Sequence, residues 1–380
     1  MRLIIAWLIF FYEVTRFLLH CAGLAKKPDL RIYEARWDGW LSSIFGWKRG
    51  LRIRNGERCP RQSPVVFAGN HGKLDDPACL WCSVYRVSEG KVNPYFMMRD
   101  DYFDGGIWAY LPFRINDALQ MCGGYGVTRD RIQLSQLRVF MDILKEPGSF
   151  IMFPGRSRSR SGLVMEYRDG IDEPGAVSFF LAHTHRTLKD TPVAAVPMMR
   201  TWHPVRKNSV VIFGEPLYLE PGLDRVGQRA LDFDLVTRIG ELVEIHGAHV
   251  VALLFYLRAL HGLTPTWAVE DCIRAVRDVV ATIKDDAYVH PALLGQTAEE
   301  AQRVLRYFAR AVVLDLRGTQ LHLNHEAILR TPGLETKFRR ENPVQYSANQ
   351  VLHLTLLIGA AEGALGLDST GDIMDHEVAG

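Results

Sequence analysis

Short apolar runs recur between residues 64 and 215, and helix-length stretches separate several of them. The runs are rich in strand-forming residues; they are VVFAG (65–69), PYFMM (94–98), GYGV (124–127), SFIMF (149–153), VAAVPM (193–198) and SVVIFG (209–214). Runs that are apolar throughout are typical of strands covered on both faces. Because strands that alternate with helices favour parallel or mixed pairing, the pattern predicts an α/β fold with a mixed, largely parallel sheet flanked by helices.

The rest of the chain divides around this α/β region. With 380 residues, 48% hydrophobic and 23% charged, the chain has a globular composition, and its length fits two domains or one domain with additions. Past Glu220 long apolar stretches follow, with a hairpin pattern at 311–323 and a capping-box spelling at Thr297 and Glu300. We predict four regions: a membrane-associated helix (1–24), an α/β domain (25–221), a mainly helical region (222–367) and a flexible acidic tail (368–380).

The amino-terminal segment is apolar but interrupted. Ten consecutive apolar residues run from Leu3 to Tyr12, and Glu13 and Arg16 then break the run. A membrane-spanning helix needs about 20 apolar residues, and a signal peptide needs a small-residue cleavage site. The segment fits neither pattern, and four basic residues follow it within residues 26–36. We predict a helix that lies on a membrane surface with basic residues near anionic headgroups; packing on the protein is the alternative.

Charge and cysteine content limit the classes of protein further. A net charge of +2 does not indicate any particular class of binding partner. Six scattered cysteines suggest no disulfide framework, so we expect a reducing compartment and a membrane-associated protein that faces the cytoplasm. Cys79 and Cys82 form a C-x-x-C pair, but no second pair follows. We therefore predict buried thiols rather than a zinc or redox site.

Residues 70–77 read NHGKLDDP and directly follow an apolar run. In α/β folds, reactive groups collect beyond the carboxyl ends of strands. If the loop folds back, Asp76 accepts the Nδ1–H of His71, and Nε2 is left to take a proton from an alcohol. Because Pro77 favours the first helical position, a helix cap is the structural alternative for Asp76. The spacing predicts His71 as a general base that Asp76 orients.

Two further stretches carry binding chemistry. GGYGVTR (123–129) has glycines where backbone must approach something closely, followed by Arg129. FPGRSRSRSG (153–162) places three arginines on one loop, and guanidinium groups bind phosphate in a fork. Arginine–serine alternation also occurs in RNA-binding tails, but here it is short and follows a strand directly. We expect a phosphate-binding loop and no nucleic-acid partner.

In sequence order, these stretches resemble the four blocks of the glycerolipid acyltransferases, which include the lysophosphatidate, glycerol-3-phosphate and dihydroxyacetone-phosphate acyltransferases. The His-x-x-x-x-Asp block falls on His71 and Asp76, and the second block on Gly123 to Arg129. The third, usually Phe-Pro-Glu-Gly-Thr-Arg-Ser, falls on 153–159, and the fourth on 193–197. A fainter similarity to the larger glycerol-3-phosphate acyltransferases lies at Tyr346-x-x-Asn349-x-x-x-His353.

The resemblance implies an O-acyltransferase. It would move a fatty acyl group from an acyl thioester, on coenzyme A or acyl-carrier protein, to a hydroxyl of glycerol 3-phosphate or a related (lyso)phospholipid. It implies no metal and no cofactor beyond the acyl-carrying co-substrate. It assigns His71 and Asp76 as catalytic residues and Gly123, Arg129, Ser157 and Arg158 as substrate-binding residues, and we add Arg156, whose cation suits phosphate.

One departure from the family pattern supports a second hypothesis. The glutamate of the third block is Gly155 here, and its glycine is Arg156. The alternative is therefore a catalytically altered phospholipid-binding protein of the same fold, although binding alone needs neither His71 nor Asp76. A serine hydrolase ranks last because the chain has no Gly-x-Ser-x-Gly elbow. The acceptor, the acyl-chain length and the carrier stay open from the sequence.

Overall fold

The computed structural model describes the larger part of the chain. The described residues are 2–26, 34–61, 64–99, 120, 123–127, 134–145, 148–155, 158–164, 166, 174, 177–188, 193–218, 224–330 and 338–367. The predicted acidic tail at 368–380 lies outside them. The described part begins with the helices α1 (Arg2–Cys21), α2 (Glu34–Ile44) and α3 (Trp47–Gly50).

A single mixed sheet forms the centre of the amino-terminal half. Its strands are β1 (Leu51–Arg54), β2 (Val65–Gly69), β3 (Tyr95–Arg99), β4 (Gly124–Val127), β5 (Ser149–Met152), β6 (Ala194–His203), β7 (Asn208–Phe213) and β8 (Leu217–Tyr218). Within the described residues the order is β1-β7-β6-β2-β5-β3-β4, with β8 beside β6. Strand β6 pairs antiparallel with β7 and β8, and the other pairs are parallel.

Helices cover the sheet, which confirms the predicted mixed, largely parallel sheet flanked by helices. They are α4 (Asp76–Val87), α5 (Leu134–Lys145) and α6 (Val177–Leu188). Every residue of β2 is buried, as expected for a strand that is apolar on both faces. Cys79 and Cys82 are fully buried on α4, as the sequence predicted, and burial raises the pKa of the Cys79 thiol to about 12.

The carboxyl-terminal half is mainly helical. Its elements are α7 (Arg225–Glu241), α8 (Gly247–Leu260), β9 (Thr266–Ala268), α9 (Val269–Ile283), α10 (Pro291–Gly295), α11 (Thr297–Phe308), β10 (Leu314–Arg317), β11 (Gln320–Leu323), α12 (His325–Leu329), α13 (Phe338–Glu341), α14 (Pro343–Asn349) and α15 (Thr355–Leu365). Helix α8 is buried along most of its length, so the other helices pack around it. Strands β10 and β11 form an antiparallel hairpin at the predicted place.

The predicted capping box is wrong. The N-cap residue of α11 is Gln296, and the hydroxyl of Thr297 donates to the carbonyl of Leu293 at 2.7 Å. The carboxylate of Glu300 is instead fully buried and pairs with Arg206 from the sheet region at 2.7 Å. A buried ion pair therefore takes the place of the local capping interaction that the spelling indicates.

Helix α1 presents an apolar face to solvent. Ile4, Leu8, Phe11 and Tyr12 recur at helical spacing and are each about 60% exposed, whereas Phe17 on the same helix is buried. In the part of the chain that the structure describes, no helix has the combined length and apolar character needed to cross a bilayer.

Candidate active site

The NHGKLDDP loop leaves the sheet at the carboxyl end of β2 and leads into α4. The side chain of Asn70 anchors its start, because Asn70 Oδ1 accepts from the backbone N–H of Arg200 at 2.8 Å and Asn70 Nδ2 donates to the Arg200 carbonyl at 3.1 Å. Strand β6, which carries Arg200, pairs directly with β2. The loop is thus held at the strand-end position where α/β proteins place their ligands.

The loop folds back so that His71 and Asp76 meet. Nδ1 of His71 lies 3.2 Å from Oδ2 of Asp76. The same oxygen accepts from the backbone N–H groups of Gly72 at 2.7 Å and Lys73 at 2.6 Å. Asp76 is the first residue of α4 and does not cap it; its carboxylate turns back towards the loop. With the proton on Nδ1, the imidazole presents an unprotonated Nε2.

Arg200 holds the other side of this carboxylate, and the sequence interpretation missed it. Its guanidinium donates to Asp76 Oδ1 and to Asp75 Oδ2, both at 2.8 Å, and to Ser209 Oγ at 3.2 Å. Arg200 is only 4% exposed. A buried arginine must be paired, so an arginine that ends the apolar run VAAVPMM was the available signal for a buried carboxylate partner.

The charge state of Asp76 follows from its contacts. Burial acts to raise the pKa of this carboxyl, but the hydrogen bond from His71 and the positive charge of Arg200 outweigh burial, and the net effect lowers the pKa. Asp76 is therefore ionised at neutral pH. An ionised partner stabilises the imidazolium that forms when His71 takes a proton.

His71 is open to solvent and lies against the arginine loop. Its side chain is 20% exposed. Its ring centroid is 4.6 Å from that of Phe153, the residue after β5, and its carbonyl accepts from the N–H of Ser159 at 2.7 Å. The loop that contains Arg158 thus runs beside the His71 loop, because β5 and β2 are neighbours in the sheet.

A carboxylate outside the predicted blocks organises the arginine loop. One oxygen of the buried Glu166 accepts from the N–H groups of Arg160 at 2.5 Å and Ser161 at 3.0 Å, and from the Ser161 hydroxyl at 3.0 Å. The loop that lacks a glutamate at Gly155 is therefore held by a glutamate from further along the chain. Of the predicted substrate-binding arginines, Arg158 is described and half-buried.

Of the other four predicted binding residues, one lies within the described part of the chain. Arg129, Arg156 and Ser157 lie outside the described residues. Gly123 is described, but strand pairing through β5 and β3 places its neighbour Gly124 level with the middle of β2. Gly123 is thus set back from the sheet edge that carries the His71 loop, and its N–H already donates to Gln120 at 3.1 Å.

Helix α14, from the carboxyl-terminal half, contacts the arginine loop. The side-chain amide of Asn349 donates to the Ser161 carbonyl at 3.0 Å. A Cβ built on Gly162, whose φ is +98°, would lie 2.2 Å from the carbonyl oxygen of Tyr346, so only glycine fits there. Tyr346 and Asn349 are two of the positions that carry the fainter family similarity, and they border the site.

A cleft opens beside the His71 loop, between the sheet edge and α14. We call it the Trp202 cleft; its lining includes Gly72, Lys73, Trp202, Arg339, Tyr346 and Gln350. Lys73 and Arg339 are cationic, and Trp202 and Tyr346 supply aromatic surface. Asp76 also reaches its wall, so the cleft borders the loop that carries His71. Among the described residues, no group of His, Cys, Asp or Glu side chains is arranged to hold a metal ion.

Comparison with known proteins gives one family match. The model of the family described as Acyltransferase matches residues 50–198. Residues 50–198 belong to the acyltransferase family. All four sequence blocks lie within this acyltransferase domain, so the family recognised from them is confirmed.

Other comparisons add little. The crystal structure of the 1-acyl-sn-glycerophosphate (LPA) acyltransferase, PlsC, from Thermotoga maritima is similar at 17% sequence identity, covering 62% of this chain and 93% of that chain with a TM-score of 0.37. A TM-score this low carries no argument about the site. No curated protein matches the chain.

Proposed function

We propose that this protein transfers a fatty acyl group from an acyl thioester, carried by coenzyme A or acyl-carrier protein, to a hydroxyl of glycerol 3-phosphate or a related lysophospholipid. The observation that carries the proposal is the contact between His71 and the ionised Asp76, at a solvent-accessible strand end within the acyltransferase domain. A protein that only binds phospholipid needs neither an oriented imidazole nor a buried carboxylate behind it.

The proposed chemistry is a single acyl transfer. Nε2 of His71 takes the proton of the acceptor hydroxyl as its oxygen attacks the thioester carbonyl carbon. The tetrahedral intermediate collapses with loss of the thiolate, and His71 returns its proton to that sulfur. Asp76 fixes the tautomer throughout and stabilises the imidazolium. Neither step requires a nucleophilic side chain, because the acceptor supplies the attacking oxygen.

Phosphate recognition would place the hydroxyl against the base. We assign it to the arginines of the second and third blocks, Arg129, Arg156 and Arg158, with Ser157 beside them. Holding a hydroxyl and a thioester in reacting geometry supplies several kcal/mol of the barrier, on the order of 7 or more in favourable cases. Gly123, set back from the catalytic edge, is left out of this assignment.

The apolar face of α1 would bring the protein to its lipid substrates. Ile4, Leu8, Phe11 and Tyr12 are exposed on one face, as expected for a helix that lies in the headgroup region of a membrane. We propose attachment to a membrane surface that faces the cytoplasm. Substrates with acyl chains partition into that surface, so attachment raises their concentration near the site.

Release of free thiol from palmitoyl-CoA tests the proposed function. The wild-type protein is incubated with palmitoyl-CoA and, separately, glycerol 3-phosphate, lysophosphatidate or lysophosphatidylcholine. We expect thiol release that depends on one of these acceptors, together with the matching acylated product by mass spectrometry. Acceptor-independent hydrolysis, or no thiol release with palmitoyl-CoA or palmitoyl-acyl-carrier protein, would favour a phospholipid-binding protein instead.

A further inference from the structure

Two cations from distant parts of the chain face the Trp202 cleft. Nζ of Lys73, on the His71 loop, lies 4.5 Å from the centroid of the Trp202 ring. The guanidinium carbon of Arg339, on α13, lies 5.3 Å from the Trp202 ring and 5.9 Å from the Tyr346 ring. The Trp202 ring is therefore close to one cation from the acyltransferase domain and to one from the carboxyl-terminal half.

Nearby carboxylates do not balance this charge. Among the described residues that line the cleft, the charged ones are three cations, Lys73, Arg200 and Arg339, and one carboxylate, Asp76. Asp76 is shared between Arg200 and His71, and Asp75 accepts from Arg200 at 2.8 Å and forms an ion pair with Nζ of Lys73 at 3.8 Å. Two carboxylates therefore face three cations. Burial lowers the pKa of Lys73, Asp75 opposes that change, and the charges of Arg200 and Arg339 add to it.

Excess positive charge in a cleft with aromatic walls attracts anions. The cleft also borders the loop that carries His71, because Gly72 and Lys73 line it. Gly72 lies between Lys73 and His71 in the chain, and a Cβ built on Gly72 would lie 3.8 Å from the Tyr346 hydroxyl. Gly72, on the loop that carries His71, and Tyr346 thus come close to each other at the wall of the cleft.

We propose that Lys73 and Arg339 bind the phosphate group of the acceptor in the Trp202 cleft, together with the arginines of the second and third blocks. The inference rests on the proposed acyl transfer and extends it to a phosphate monoester of a polyol, such as glycerol 3-phosphate or lysophosphatidate. A phosphate dianion between the two cations replaces their mutual repulsion by charge-assisted hydrogen bonds. The glycerol hydroxyls then lie towards His71, because Lys73 belongs to both the cleft and the base loop. The carboxyl-terminal half thereby contributes a binding residue to the acyltransferase site.

Kinetics of Lys73→Gln and Arg339→Gln test the assignment. With palmitoyl-CoA as donor, we expect the KM for glycerol 3-phosphate or lysophosphatidate to rise roughly tenfold or more in each variant, since a charge-assisted hydrogen bond is lost. The KM for palmitoyl-CoA stays within twofold. Arg339→Lys keeps the charge and recovers part of the loss. Arg340→Gln, an exposed neighbour on the same helix, is the matched control and behaves as wild type.

The opposite pattern overturns the inference. The inference is wrong if the acceptor KM stays within twofold of wild type in both variants. It is also wrong if only the KM for palmitoyl-CoA rises. Thermal melting by circular dichroism checks folding. If Arg339→Gln fails to fold, the kinetics of Lys73→Gln alone test the inference, because Lys73 lies on a loop rather than in a packed helix.

Calorimetry without donor separates this inference from the proposed function. We expect the wild type to bind inorganic phosphate and glycerol 3-phosphate, and both Gln variants to bind each at least tenfold more weakly. If the wild type shows no acyl transfer yet this loss of binding is seen, the cleft assignment stands and the enzyme assignment fails. If acyl transfer is seen and the variants bind phosphate like the wild type, only the cleft assignment fails.

Discussion

At the scale of single residues, Arg200 decides whether Asp76 can serve His71. A carboxylate that is 2% exposed is strongly destabilised unless its charge is paired. Arg200 provides that pairing with a fork that spans Asp75 and Asp76, and its own burial is offset by both carboxylates and by Ser209. We infer that Arg200 is a positioning residue, because its guanidinium is bound to Asp75, Asp76 and Ser209 and keeps the partner of His71 ionised and in place.

Replacing Arg200 by methionine should destabilise the protein by about 3–5 kcal/mol, the usual cost of leaving a buried charge without its partner. Urea unfolding measures the change in free energy. Arg200→Lys keeps the charge but cannot form the fork, so we expect a smaller loss of stability and a lower kcat with little change in the acceptor KM.

Arg274→Met is the control for that measurement, because Arg274 is 69% exposed on α9 and forms a surface ion pair. Its unfolding free energy should change by no more than about 1 kcal/mol. A similarly small loss in Arg200→Met would mean that the pairing with Asp76 contributes little, and that the carboxylate does not depend on Arg200.

At the scale of elements, what the sequence predicts well is local. The run VVFAG, the loop NHGKLDDP and the helix after Pro77 are contiguous, so their order and the meeting of His71 with Asp76 follow from the pattern of a few residues. Contacts between distant segments leave no local pattern. Arg200, Glu166 and Arg339 reach the site from other segments, and only Arg200 has a signal in the sequence, as a charge in an apolar run.

Register bears on a further prediction at this scale. The glycines of GGYGVTR are predicted to lie where backbone approaches substrate, and alignment across three strand pairs sets Gly123 back from the sheet edge that carries the His71 loop. No single-sequence pattern contains that register. Glu300 shows the same limit, because a capping-box spelling is local whereas its real partners, His203 and Arg206, lie on and beside β6.

The exposed face of α1 carries a prediction of its own. Leu8→Glu with Phe11→Glu should weaken binding to vesicles of anionic phospholipid at least tenfold, because burying each side chain contributes about 1.5–3 kcal/mol. Co-sedimentation with liposomes measures it. Val312→Glu is the control, since Val312 is 84% exposed near the β10–β11 hairpin. Undiminished sedimentation of the double variant would mean that α1 is not the membrane-binding element.

At the scale of the whole molecule, a buried histidine cluster joins the sheet to the carboxyl-terminal helices. His203 ends β6, and its ring stacks on that of His246 at 4.4 Å; His246 stacks on His249 of α8 at 3.6 Å; and His290 lies 5.0 Å from His203. Nε2 of His203 lies 2.6 Å from Glu300. Packing that requires His246, His249 and His290 to stay neutral makes the junction sensitive to acid.

The pKa values of the cluster give the sign of that sensitivity. Burial lowers the pKa of His249 to about 3 and that of His290 to about 3, and it lowers the pKa of His246 well below the usual value. The positive charge of Arg52 and Arg206 also lowers the pKa of His290, and Glu300 opposes this. The unfolded chain therefore binds more protons than the folded protein from about pH 6.5 down to about pH 3.

The free energy of unfolding should thus be highest above pH 6.5 and should fall as the pH drops below that value. From pH 8 to pH 5 we expect a loss of about 2 kcal/mol for each such histidine, measured as the urea-unfolding free energy. His249→Gln should reduce this pH-dependent loss, whereas His261→Gln, at an exposed position, should leave it unchanged. Equal pH dependence in all three proteins would show that His249 does not titrate on unfolding.

The most direct test of the central claim is the turnover number of His71→Ala in the acceptor-dependent thiol-release assay. We predict a fall in kcat by a factor of about 10²–10⁴, with the thermal melting temperature of the variant within a few degrees of wild type and with His261→Ala fully active. A folded His71→Ala protein that transfers the acyl group at a rate close to wild type would contradict the claim that His71 is the general base.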